Sequence, residues 1–191
     1  MSRHAICITV LVAAAGLCFV GSHAMAQTQS APAQSDVGLG VKGIGARLGY
    51  VDPEDASGTA AFGVHVDAGT IVRNVHVTPY FEYWSAGASV GTSSVDFSDL
   101  TIATDVNLDF PMHGSRMTPY LGGGLGLHFL SFDSTPGPSP GNETKFGFNI
   151  QGGVRNQVMP NISIFGEARY AFVTDANQLK LMGGFTYLFM Y

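Results

Sequence analysis

Residues 184–191 read GFTYLFMY, with rings on every second position: Phe185, Tyr187, Phe189 and Tyr191. Side chains two apart share one face of a β-strand, so the segment predicts a strand carrying an aromatic stripe. Chain ends are ordinarily frayed and polar. A last strand with a ring at its final residue is built to lie against something apolar.

The same period of two recurs along the chain, and no stretch shows a convincing helical period. Eight runs carry it: 38–51, 60–72, 75–84, 97–110, 117–130, 145–155, 162–173 and 178–191. In the first, Ile44, Ala46, Leu48 and Tyr50 alternate with Gly43, Gly45, Arg47 and Gly49. In the third, Val75, Val77, Pro79, Phe81 and Tyr83 oppose His76, Thr78, Tyr80, Glu82 and Trp84. The links after runs two, four and six are short (73–74, 112–116, 156–161), and those after runs one, three and five are longer (52–59, 85–96, 131–144). The last link, 174–177, is short for its class. Short turns at one end and longer loops at the other are the habit of membrane barrels.

Alternation does not say which face is wet. A soluble calyx is apolar inside, and an outer-membrane barrel reverses that. Three features favour the membrane. The polar face carries both signs of charge: Arg47, His65, Asp67, Glu82, Asp105, Lys145, Asn149, Arg155, Glu167, Arg169 and Lys180. That face is also rich in glycine, which a crowded interior needs. The opposite face is nearly free of charge over about 9–11 residues per run, the length of a tilted spanning strand. Tyr50, Phe62, Phe81, Tyr83, Phe110, Phe129 and Phe146 stand at or near run ends, where an aromatic girdle would lie. Hydrocarbon cannot satisfy an open sheet edge, so the sheet must close. The expected fold is all-β: an eight-stranded antiparallel up-and-down transmembrane β-barrel over residues 37–191, its last strand closing against the first.

Composition agrees. Charged residues make up 12% of the chain, about half the ~25% of soluble domains. A net charge of −5 argues against nucleic acid as a partner. Residues 1–26 read as a secretory signal: Arg3, an apolar stretch over 5–20, and Ala24-Met25-Ala26 as a small-x-small cleavage site. Residues 27–36, QTQSAPAQSD, read as a flexible periplasmic tail. Both cysteines, Cys7 and Cys18, fall in the leader, and Leu17 is too large for a lipidation site before Cys18. The mature chain therefore has no thiol for a disulfide, a metal site or a nucleophile.

The segments TPYLGGGLGLHF (118–129), FGFNIQGGVR (146–155) and FGEARYAF (165–172), with the aromatic C-terminus, resemble the eight-stranded outer-membrane barrels of the opacity-type and OmpA-like family. TPYFEY (78–83) echoes TPYLGG (118–123). The resemblance implies that Phe185, Tyr187, Phe189 and Tyr191 form the signal read by the outer-membrane assembly machinery, with Tyr191 where Phe is commoner. No residues follow Tyr191, so a C-terminal peptidoglycan-binding domain is not expected.

Arg47, Glu82, Arg155, Glu167, Arg169 and Lys180 are the candidate lumen ion-pair network, read first as a structural plug and second as a gated ion path. His65, Asp67 and His128 fix no third metal ligand, so hydrogen bonding is the plainer role. The His113-Gly114-Ser115 triplet has the His-x-Ser spacing of lipid A deacylating barrels but sits in an expected turn without a carboxylate partner. Gly122–Gly124 is no phosphate loop, because no Lys-Ser/Thr follows. The long links hold Asp52, Glu54, Asp55, Asp96, Asp133, Glu143 and Asp175 and no Lys or Arg. Such tips suit solvent or divalent-cation bridging to lipopolysaccharide phosphates. The expected role is envelope-structural or adhesion-like, with a narrow passive pore as the second reading and a lipid A esterase as the third. No cofactor is expected. The expected partners are membrane lipid, lipopolysaccharide, the assembly machinery and host or surface ligands reached through the loops, with the chain itself a monomer.

Overall fold

The computed structural model describes residues 37–54, 57–90, 93–135, 141–174 and 176–189. The leader, the tail and Tyr191 lie outside the described residues. Eight strands form among them: β1 (Gly38–Pro53), β2 (Thr59–Val72), β3 (Val75–Val90), β4 (Ser93–Asp109), β5 (Met117–Thr135), β6 (Gly141–Met159), β7 (Ile162–Val173) and β8 (Gln178–Leu188). They pair antiparallel in chain order and close into a barrel. Closure is the β1–β8 ladder, running from Gly43↔Leu188 to Pro53↔Gln178. No helix long and apolar enough to cross a membrane occurs among the described residues, and the crossing is made by strands.

The period of two sorts the side chains. Along β1, Leu48 is 65% exposed and its neighbour Arg47 only 5%. Phe62, Phe81, Phe146 and Ile150 are each more than half exposed on the outer wall, while Glu82, Asp105, Arg169 and Lys180 are each 1% exposed inside. Such an inversion would be ruinous in water and is what hydrocarbon requires. Phe185, Tyr187 and Phe189 stand exposed on the outer wall, so the aromatic stripe of the last strand faces lipid.

Two details position the interior. The β2–β3 turn has two central residues, and Asn74 takes φ 65°, a left-handed conformation that Asn tolerates and β-branched residues do not. At the β1–β8 seam, a Cβ on Gly45 would run into the Phe185 carbonyl oxygen and the His65 ring. The seam closes only because that position lacks a side chain.

The strands differ from expectation at one end. Residues 85–96 and 131–144 are mostly strand, not loop: the β3–β4 ladder continues to Val90↔Ser93 and the β5–β6 ladder to Phe132↔Gly141. The stretch 85–96, SAGASVGTSSVD, sets small residues against small residues, so no apolar alternation marks it. Meanwhile the β2–β3 ladder stops at Ala61↔Trp84 and the β6–β7 ladder at Gly147↔Val173. The four strands β3–β6 therefore stand above the rest as a projecting sheet. At the other extreme β8 ends at Leu188, short of the run to 191.

Candidate functional site

The lumen is filled in layers. Nearest the projecting sheet lies an apolar roof. Trp84 packs at a tilt against Phe97, 5.1 Å between ring centres, and Phe97 likewise against Phe132 at 4.7 Å. Val51, Ala61 and Met182 pack on the Trp84 side, Leu130, Ala171 and Val173 on the other, and Phe97 touches both groups. This roof was not read from the sequence. Its residues continue the lumen parity of their strands, but apolar residues on the face reckoned polar carried no weight there.

Beneath it Asp99, fully buried, receives Gln178 Nε2 at 2.8 Å and lies 2.8 Å from His128 Nδ1. Thr101 Oγ1 is 3.1 Å from the same nitrogen.

The central layer is ionic. Lys180 Nζ donates to Glu82 Oε1 across the barrel. Arg169 Nη2 donates to Asp105 Oδ2 at 2.7 Å and to Glu167 Oε1 at 2.6 Å. Arg47 Nη1 lies 3.7 Å from the same Glu167 oxygen. Tyr120 donates its hydroxyl to Glu167 Oε2 at 2.8 Å. The Tyr80 ring has the Arg47 and Arg169 guanidinium carbons each 4.5 Å from its centre. Charges this deep are tolerable only when mutually paired.

Five of the six expected network residues meet here, in two groups: Arg47, Glu167 and Arg169 in one, and Glu82 with Lys180 in the other. Arg155 does not join them. It sits at the short-turn mouth, where its Nη1 donates to Asp109 Oδ2 at 2.9 Å, with His76 Nε2 3.1 Å from the same oxygen. The expected set held four cations and two carboxylates. A low-dielectric interior cannot leave two cations unpaired, so charge counting called for two further acids, and the structure supplies them as Asp105 and Asp109.

Below the ionic layer a polar vestibule of about 30 Å³ is bordered by Arg47, His65, Asp67, His76, Arg155 and Glu167. That is room for about two water molecules. His65 Nε2 lies 2.8 Å from Thr186 Oγ1, and His128 is held by Asp99 in a different layer, so the three residues weighed as metal ligands are not brought together. Ser115 Oγ accepts the Met117 amide at 3.0 Å in the exposed β4–β5 turn, which gives the His113-Gly114-Ser115 triplet a turn-forming role.

The outer-membrane protein β-barrel domain family matches residues 11–189. The chain belongs to that family. Membership puts this barrel in an outer membrane. Among solved structures, it is similar to Neisserial surface protein A at 21% identity and a TM-score of 0.65, covering 80% of this chain and 99% of that one. It is also similar to Ail, the attachment invasion locus protein of Yersinia pestis, in complex with the heparin analogue sucrose octasulfate, at 18% identity and TM-score 0.52, covering 78% and 99%. The N-terminal β-barrel domain of Pseudomonas aeruginosa OprF matches at 13% identity and TM-score 0.52, covering 78% and 98%. At these identities the likeness is one of fold. No curated protein matches the sequence significantly.

Proposed function

We propose that this outer-membrane barrel is a plugged anchor that presents the β3–β6 sheet to partners at the cell surface, after export directed by residues 1–26. One observation carries the reading: β3 to β6 span 16, 17, 19 and 19 residues while β7 and β8 span 12 and 11. Residues 141–146 of β6 thereby have a strand neighbour on one side only. Six residues extend up to about 20 Å along a strand, here from Phe146 on the outer wall to Gly141 at the tip. An unpaired edge is a template for adding an extended segment of another chain. Phe185, Tyr187 and Phe189 are, on this reading, the stripe offered to the assembly machinery.

Charge narrows the partner. Among the described residues, the exposed charges at the projecting end are Glu54, Asp96 and Glu143. The cation there, Lys145, lies 3.2 Å from Glu143. Ail was captured with a polysulfated ligand, but an acidic rim repels one. Basic proteins, or anionic surfaces bridged by divalent cations, fit better.

Outer-membrane vesicles displaying the protein should bind immobilised polylysine in a salt-sensitive manner and ignore heparin. Shortening the β3–β4 hairpin by removing residues 87–96 in favour of a two-residue turn should reduce that binding about tenfold or more. Equal binding by the shortened protein, still heat-modifiable on gels, refutes the reading. The pore reading has no observation in its favour, given the roof and the ionic layer. Planar bilayers containing the wild-type barrel should show no steady conductance, and open-channel steps from a folded sample would revive it.

A further inference from the structure

The cations of the outer surface are all at one end. From residue 37 onward the sequence holds eight Lys and Arg residues: Lys42, Arg47, Arg73, Arg116, Lys145, Arg155, Arg169 and Lys180. Arg47, Arg169 and Lys180 are sunk in the lumen, Arg155 is paired at its mouth, and Lys145 pairs with Glu143 on the projecting sheet. The remaining three, Lys42, Arg73 and Arg116, are exposed, and all lie at the short-turn end. The two acids of that end, Asp67 and Asp109, turn inward, with side chains 21% and 9% exposed, toward His76 and Arg155. Among the described residues, no exposed acid offsets the three cations.

A second observation says what this rim touches. Each cation is next to exposed apolar side chains of the outer wall. The Lys42 carbonyl accepts the Phe189 amide at 2.7 Å, in the β1–β8 seam that carries Tyr187 and Phe189. Arg73 follows Ile71 and Val72, and Arg116 lies between Met112 and Met117, all four of these apolar side chains more than 40% exposed. Exposed apolar residues at that height suit acyl chains, and the cations beside them then reach the level of lipid headgroups. Long cationic side chains reach the interface from there while their stems stay in the apolar layer.

We propose that Lys42, Arg73 and Arg116 form a binding rim for anionic phospholipid headgroups in the leaflet facing the short turns. The rim spans one side of the barrel, from β1 to the start of β5. The third short turn, around Asn156–Asn161, carries no cation beyond the inward-paired Arg155. The lipid contact is therefore one-sided, and the barrel gathers anionic lipid beside β1–β5 and not beside β6–β7.

The test is the composition of the lipid shell. The mature barrel is refolded into phosphatidylcholine vesicles containing one-fifth phosphatidylglycerol. Spin-labelled analogues of the two lipids then report which is held at the protein. The wild type should hold the anionic label about fivefold more strongly, the yield of about one interfacial cation, or more where the rim acts together. Lys42→Gln/Arg73→Gln/Arg116→Gln, checked for folding by heat-modifiable migration, should hold both labels equally. Wild type in about 0.5 M salt should lose most of the preference, a readout independent of any variant. Glu54→Gln/Asp96→Asn, at the opposite end, should leave it unchanged. No preference in the wild type, a preference that survives the triple replacement or the salt, or a dependence on the acidic end would each overturn the proposal.

Discussion

Arg169→Leu should destabilise the folded barrel by about 3–5 kcal/mol, the usual cost of removing one partner from a buried charge group. Arg169 is 1% exposed and its Nη2 serves Asp105 and Glu167 together. Without it, Asp105 and Glu167 lose the cation they share, and only Glu167 keeps a cationic partner, Arg47 at 3.7 Å. Unfolding in urea, followed by the fluorescence of the single tryptophan, Trp84, measures the loss. Trp84 is fully buried in the roof, so its emission reports the lumen itself. The compensated variant Arg169→Leu/Asp105→Asn should recover most of the stability, because Glu167 stays paired with Arg47 and no unpaired charge is left inside. An Arg169→Leu barrel as stable as wild type would mean that the ionic layer is solvated and not a plug.

Gly45→Val should prevent closure. The new side chain would meet the Phe185 carbonyl and the His65 ring, and relief requires moving the backbone of the closing strand. Overpacking of this kind costs about 1–3 kcal/mol in an adaptable core. A barrel seam adapts less, since its ladder is what removes the last sheet edge. Refolding yield in detergent, read as the fast-migrating unheated band, should fall to a small fraction of wild type. Gly166 is the control. It sits on β7 with nothing within 4 Å of an added Cβ, so Gly166→Val should fold normally. Equal yields from the two variants would show that glycine at the seam is dispensable.

Much of this architecture was legible because the bilayer imposes one rule on every strand. Leu48 outside and Arg47 inside follow from parity alone once the outer solvent is oil. The pairing of Glu167 with Arg169 was readable for the same reason, since residues two apart on a strand share a face. What parity cannot supply is which cross-barrel partners meet. Lys180 and Glu82 are 98 positions apart and touch only because the barrel is narrow. Arg155 has the same parity as Arg169 on a neighbouring strand yet sits near the mouth, because height depends on strand stagger and not on face. Above the membrane the rule lapses altogether. There Ser85–Ser98 pairing joins residues with no apolar contrast, and the projecting sheet reads as loop.

Among the described residues, the lumen is apolar beneath the projecting sheet and polar beside the short turns, where the vestibule lies. The vestibule borders Arg47 and Glu167, so it brings the ionic layer closest to the compartment beside the short turns. On the proposed reading the projecting sheet meets the outside world, while the electrostatic balance of the lumen answers to the chemistry beside the short turns.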